Sequence, residues 1–148
     1  MADINQFLVG IKTKHLSYEL HDGKELDLMI SGNKPLAMFY EDADIEPSDS
    51  YIPEEEFDRL VDQGVACKGE YVVEGAVHPK TGRRIRTRYV LYARQDEQWR
   101  IPAMILVLKT MRRTSRGPDE GLDRMIGSLL GYTNDQNDEY ISMGHYGP

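Results

Sequence analysis

The sequence predicts an α+β fold, an antiparallel sheet of about four strands in two hairpins with helices packed on one face. Three observations carry that prediction. Val65 to Val77 and Arg84 to Arg94 are rich in Val, Tyr, Ile and Thr and flank a six-residue run of turn chemistry. Apolar residues recur at helical spacing near the C-terminus, at Leu122, Met125, Ile126, Leu129 and Leu130. A chain of 148 residues with 40% hydrophobic content has the size and composition of one domain spanning residues 1–148, and no internal repeat or linker divides it.

Taken in order, Asp3 to Lys14 reads as a short helix, with Ile4, Leu8 and Ile11 on one side and Asp3 as cap. Glu25 to Ser31 reads as a strand, Gly32-Asn33 as a turn, and Pro35 to Glu41 as the returning strand of a first hairpin. The acidic stretch Glu41 to Tyr51, with Pro47, reads as an exposed loop. A helix follows, with Pro53 at its first position, three glutamates near its positive end, Phe57, Leu60 and Val61 on one face, and Gly64 as its stop. The second hairpin turns through His78-Pro79-Lys80-Thr81-Gly82-Arg83.

Trp99 to Met111 reads as a buried helix, because Ile101, Ile105, Leu108 and Met111 keep helical spacing and Lys109, Arg112 and Arg113 suit its negative end. The unbroken apolar run Ile101 to Leu108 leaves a strand as the alternative. Gly117-Pro118 breaks the chain, Asp119 to Leu130 forms an amphipathic helix stopped by Gly131, and Asn134 to Ser142 forms a last helix capped by Asn134 or Asp135. A frayed tail begins at Gly144.

Composition narrows the function. The single Cys67 allows no intramolecular disulfide and no thiolate zinc site, which suits a reducing, cytoplasmic setting. The N-terminus lacks the pattern of a signal peptide, and the longest apolar run is far too short to span a bilayer. A net charge of −7 disfavours general nucleic-acid binding.

Charge is unevenly placed. Lys80 to Arg94 holds six basic residues and no acidic one, whereas Glu41 to Asp58 holds nine acidic residues and no basic one. Strand alternation sets Ile85, Thr87, Tyr89, Leu91 and Ala93 on one face and Arg84, Arg86, Arg88, Val90, Tyr92 and Arg94 on the other. Arg84, Arg86 and Arg88 then stand about 7 Å apart, a spacing that suits bidentate grip on successive phosphates or carboxylates. The same arginines equally suit a solvated strand face, or neutralisation of the acidic loop of the same molecule.

A second polar segment, from Gly131 to Asp138, offers Tyr132 as a stacking face and Asn134 and Gln136 as amide readers, although helix-stop and cap chemistry also accounts for it. The candidate ligand-binding residues are therefore Arg84, Arg86, Arg88, Tyr92, Tyr132, Asn134 and Gln136. The four histidines are scattered without metal-ligand spacing, no nucleotide, hydrolase or metalloprotease motif occurs, and neither metal nor cofactor is expected.

The leading expectation is a small binding or regulatory protein that engages an acidic protein surface or an anionic small molecule through its arginine face. Two alternatives stand beside it. One is a small enzyme acting on a phosphorylated or carboxylated metabolite, whose catalytic residues the sequence does not reveal. The other is a self-associating protein whose acidic loop docks on the arginine face of another copy. No membrane partner is expected.

Overall fold

The computed structural model describes residues 16–114 and 119–143. Its helices are α1 (Glu25–Ile30), α2 (Glu54–Asp62), α3 (Arg100–Thr114), α4 (Glu120–Leu129) and α5 (Asn134–Ser142). Its strands are β1 (Leu36–Asp42), β2 (Ala66–Val77) and β3 (Arg84–Arg94). The helix expected over Asp3 to Lys14, the break at Gly117-Pro118 and the tail from Gly144 lie outside the described residues.

All pairing is antiparallel in the order β1-β3-β2. The β2–β3 hairpin matches the expected segments almost residue for residue, pairing Ala66 with Arg94 through Glu74 with Arg86 before a register irregularity leads to Val77 opposite Arg84. β1 lies on the other side of β3, from Leu36 opposite Ala93 to Asp42 opposite Thr87. The hairpin therefore overhangs the rest of the sheet at its turn end.

The first hairpin does not exist. Glu25 to Ser31, expected as a strand, is α1 with Ser31 as its C-terminal cap, so the sheet has three strands rather than about four. Leu26 and Met29, three apart, turn toward one apolar cluster, and Met29 is fully buried there. Gly32, at φ +85°, supplies the left-handed residue that ends the helix, and its N–H donates to the Met29 carbonyl. The turn signal was a helix stop.

Helices cover both faces of the sheet, not one. Leu36, Met38, Tyr40, Tyr89, Leu91 and Ala93 pack with Met104, Val107 and Leu108 of α3 and Ile126 and Leu129 of α4. The intervening residues Ala37, Phe39, Val90 and Tyr92 pack on the opposite side with Met29 of α1 and Phe57 and Leu60 of α2. Strand alternation makes this division unavoidable once both sets are apolar. Phe57 stacks on Tyr92 at 4.7 Å and meets Phe39 edge-on at 5.4 Å. On the first face Tyr40, Tyr89 and Tyr71 are register partners across all three strands, with neighbouring centroids 5.2 and 6.2 Å apart.

Residues 100–114 are helical, which resolves the helix–strand alternative over 99–111. Pro102 sits in the first turn, where no intrahelical donor is lost. Asp119 caps α4 by accepting from the Leu122 N–H at 2.9 Å. α5 is capped by Thr133 rather than by Asn134 or Asp135. Thr133 is extended, accepts from the Gln136 N–H, and donates its own N–H to the Gln136 side chain, so that Thr133 and Gln136 form a reciprocal capping box. Between α4 and α5, Gly131 adopts φ +98° and leaves only 2.6 Å between the site of a Cβ and Pro35 Cδ. A glycine is required there on both counts, and it brings the C-terminal helices against the start of β1.

Candidate functional site

The residues singled out in the sequence fall at opposite ends of the molecule. Arg84, Arg86 and Arg88 lie in the hairpin-end half of β3. Tyr132, Asn134 and Gln136 lie near the other end, where Gly131 packs on Pro35 and Pro35 accepts from the Arg94 N–H at 3.0 Å. The rise of β3 from Arg84 to Arg94 puts about 30 Å between them.

At the arginine end, the even-numbered face of β3 changes character along its length. Tyr92 and Val90 are fully buried beneath α2, and the Tyr92 hydroxyl donates to Asp58 at 2.7 Å. Burial and that carboxylate raise the Tyr92 pKa above its usual range. Tyr92 thus belongs to the core and is not part of an open ligand face.

Next along the strand, the Arg88 guanidinium reaches three carboxylates. It donates to both oxygens of Glu54 at 2.6 and 2.9 Å, to Glu70 at 2.7 Å and to Glu41 at 3.4 Å. The Glu41 side chain is only 4% exposed and also accepts from the Ser50 hydroxyl at 2.7 Å. Lys68 completes the cluster, bridging Glu54 at 3.0 Å and Asp58 at 3.1 Å. The bidentate bond from Arg88 holds the Glu54 carboxyl at about 2 against the opposing effect of burial. Arg86 pairs with Asp44 at 3.2 Å and Arg83 with the same carboxylate at 3.6 Å. Arg84 is exposed and donates to the Gly75 carbonyl at 3.2 Å. Acidic residues from the 41–58 stretch thus meet the arginines within one chain.

Beside this network lies an open cleft of about 690 Å³ lined by Glu41, Tyr51, Glu54, Glu55, Glu56 and Arg88. Its volume suits a small ligand, but its walls carry four carboxylates against one guanidinium that is already bonded to two of them, Glu41 and Glu54. A carboxyl held at about 2 has no proton to give at neutral pH and is a weak base, so Glu54 is poorly suited to proton transfer.

A cationic surface lies further out, on the overhanging hairpin. Lys80, Arg83 and Arg84 are exposed there, together with Val77 at 49% and Ile85 at 42% exposure. Among the described residues, Lys80 and Arg84 have no carboxylate partner. His78 shapes the turn, its Nδ1 accepting from the N–H groups of Lys80 and Thr81 at 3.2 and 3.3 Å.

At the other end, Tyr132 stacks on His21 with ring centroids 4.0 Å apart, and its hydroxyl accepts from the His21 backbone N–H at 2.9 Å. Lys34, only 2% exposed, donates to His21 Nδ1 at 2.8 Å and to the Leu130 carbonyl at the end of α4 at 2.9 Å. The Lys34 bond makes Nδ1 the acceptor, so the neutral imidazole carries its proton on Nε2. Burial lowers Lys34 to about 8, partly offset by Glu25 and Asp22. Burial and the Lys34 charge lower His21 to about 4. Gln136 caps α5, and its carbonyl accepts from the Tyr18 hydroxyl at 3.0 Å, while Asn134 is exposed at the start of that helix. These contacts fasten residues 17–21 to the C-terminal helices.

Cys67 is half-buried, and burial pushes its thiol up, away from the thiolate that a nucleophile requires. Among the described residues no group of three or more His, Cys, Asp or Glu is placed to hold a metal ion, and no helix is long and apolar enough to cross a membrane.

Sequence reasoning missed Lys34, for which a lone lysine between Asn33 and Pro35 gave no signal. It offered neutralisation of the acidic stretch by the arginines as one reading, without naming Glu41, Glu54 and Glu70 as the partners of Arg88. Comparison of the chain with protein families, with curated proteins and with solved structures gave no match.

Proposed function

We propose that the protein is a non-catalytic binding protein whose overhanging β2–β3 hairpin engages an acidic protein surface. The observation that carries this reading is the hairpin end itself, where Lys80 and Arg84 stand without a carboxylate partner among the described residues, beside exposed Val77 and Ile85. Cationic groups steer an acidic partner and fix its orientation, while the apolar side chains supply area that loses water on contact. Arg86 and Arg88 contribute less, because their guanidinium groups already meet Asp44 and the Glu41–Glu54–Glu70 set.

An anion-handling enzyme is the weaker alternative. Its support is the place of Arg88 on the wall of the 690 Å³ cleft, and against it stand the net acidity of that cleft and the low pKa of Glu54.

Charge reversal at the hairpin end provides the test. The triple substitution Lys80→Glu, Arg83→Glu, Arg84→Glu is expected to keep the circular dichroism and unfolding midpoint of the parent while losing the protein partner that the parent captures from native lysate. Retention of every captured protein by a folded triple variant would remove the hairpin from consideration. Arg88 is left out of this test because its loss is expected to destabilise the fold.

A further inference from the structure

Among the described residues the outer edge of β2 is unpaired, and it has a definite phase. Gln95 N–H donates to the Val65 carbonyl at 3.0 Å, which makes Val65 opposite Gln95 a hydrogen-bonded pair at the end of the β2–β3 ladder. Alternation along an antiparallel ladder then turns the backbone groups of the odd-numbered residues of β2 toward β3 and those of Lys68, Glu70, Val72 and Glu74 outward. No other described segment bonds to these outward groups. α3 lies above the strand rather than beside it, with Ile101 against Gly69 and the Lys109 ammonium 5.5 Å from the Tyr71 ring centroid. The ladder is regular from Ala66 to Glu74, so the edge is straight over the stretch where it is open.

We propose that the protein self-associates through this edge, two copies pairing β2 antiparallel about a twofold axis at Tyr71. This goes beyond the hairpin reading and does not depend on it, since it uses the backbone of β2 and not the charges of the turn. The axis at Tyr71 sets Lys68 opposite the partner's Glu74, Glu74 opposite the partner's Lys68, and Glu70 opposite Val72 in both directions. Residues with outward backbone groups then face each other, four pairs exchanging about eight hydrogen bonds and joining two three-stranded sheets into one of six.

Neighbouring registers are worse. Moving the axis to Glu70 opposes Glu70 to itself, and moving it to Val72 opposes Glu70 to Glu74 twice, in both cases placing like charges directly across the strands. Moving it to Gly69 restores a Lys68–Glu70 match but brings Gly64, outside the strand, opposite Glu74. The register at Tyr71 combines the longest overlap with opposite charges. Isolated edge strands are commonly blunted by a lysine or a bulge. Here Lys68 is held by Glu54 and Asp58 of its own chain and still meets a glutamate of opposite charge across the axis, and the bulge begins only after Glu74.

Sedimentation equilibrium of the full chain over a concentration series tests this. The parent is expected to approach twice the chain mass. Val72→Pro removes an outward N–H and no hydrogen bond of the β2–β3 ladder, so it should remain folded by circular dichroism and sediment as a monomer. Glu74 is exposed and has no ion pair with a described residue, so Glu74→Lys should fold normally and raise the dimer dissociation constant about tenfold or more by opposing lysine to Lys68. A monomeric parent at every concentration, a folded Val72→Pro that dimerises like the parent, or an unchanged constant for Glu74→Lys each overturns the proposal. If Val72→Pro fails to fold, the Glu74→Lys constant decides.

Discussion

Replacing Arg88 by alanine is expected to lower the unfolding free energy by about 3 kcal/mol, the lower end of what breaking a buried ion pair costs. The Arg88 side chain is 22% exposed, which moderates the loss, but Glu41 is left almost wholly buried with Ser50 as its remaining side-chain partner. Glu54 and Glu70 lose the cation they share, with only Lys68 nearby to compensate. Urea unfolding should show a lower midpoint with an unchanged slope. Arg84→Ala, by contrast, removes an exposed residue and is expected to change stability by no more than about 0.5 kcal/mol. Adding Glu54→Gln to the Arg88→Ala variant should recover part of the loss, because one uncompensated carboxylate disappears. Equal midpoints for Arg88→Ala and Arg84→Ala would show that the network contributes nothing to the fold.

The second large effect concerns Lys34 and alkaline pH. The unfolded chain holds the Lys34 proton up to its ordinary value of 10.5, whereas the folded chain releases it near 8. Between these values the unfolded state binds more protons, so stability from this residue rises with pH, by about 3 kcal/mol across the window. Lys34→Met should abolish that rise, and urea unfolding of both proteins at intervals from pH 7 to 10 measures the difference. If parent and variant run parallel, the ammonium is not the strained group.

His21 acts with the same sign at lower pH. Its folded value near 4 lies below its ordinary 6.5, so stability is lost as pH falls through that interval and the imidazole is forced to charge beside Lys34. Glu54 extends the loss from 4.5 down to about 2. Tyr18 acts with the opposite sign, because it keeps its proton to about 12 in the folded chain against an ordinary 10, so its contribution to stability is lost as pH rises through that interval.

The parts of the fold that were legible in the sequence are those where local chemistry and tertiary packing agree. The β2–β3 hairpin combined strand formers with a turn of the right length, and α3 kept helical spacing through a run that was otherwise uniformly apolar. α1 was illegible because Leu26, Leu28 and Ile30 alternate as a strand would, while the residue that decides the matter is Met29, buried from between them. The second helical layer had left a trace. On the even face of β3 the arginines give way to Val90 and Tyr92, and a solvated face has no reason to change in that way at mid-strand. What local reasoning could not supply was the identity of the cover, since α1 and α2 precede β3 in the chain by tens of residues.

The central place of β3 has a consequence for the nascent chain. β1, with Leu36 to Tyr40 buried on both faces in the finished protein, finds its strand partner only when β3 has been made. The intervening strand, β2, never touches it in the sheet. During synthesis this apolar segment therefore waits for about fifty further residues to leave the ribosome before its backbone can be paired. The acidic stretch that follows immediately after it, from Glu41 onward, stands where flanking charge disfavours association of an unpaired apolar strand, and in the folded chain its Glu41 and Asp44 pair with arginines of β3.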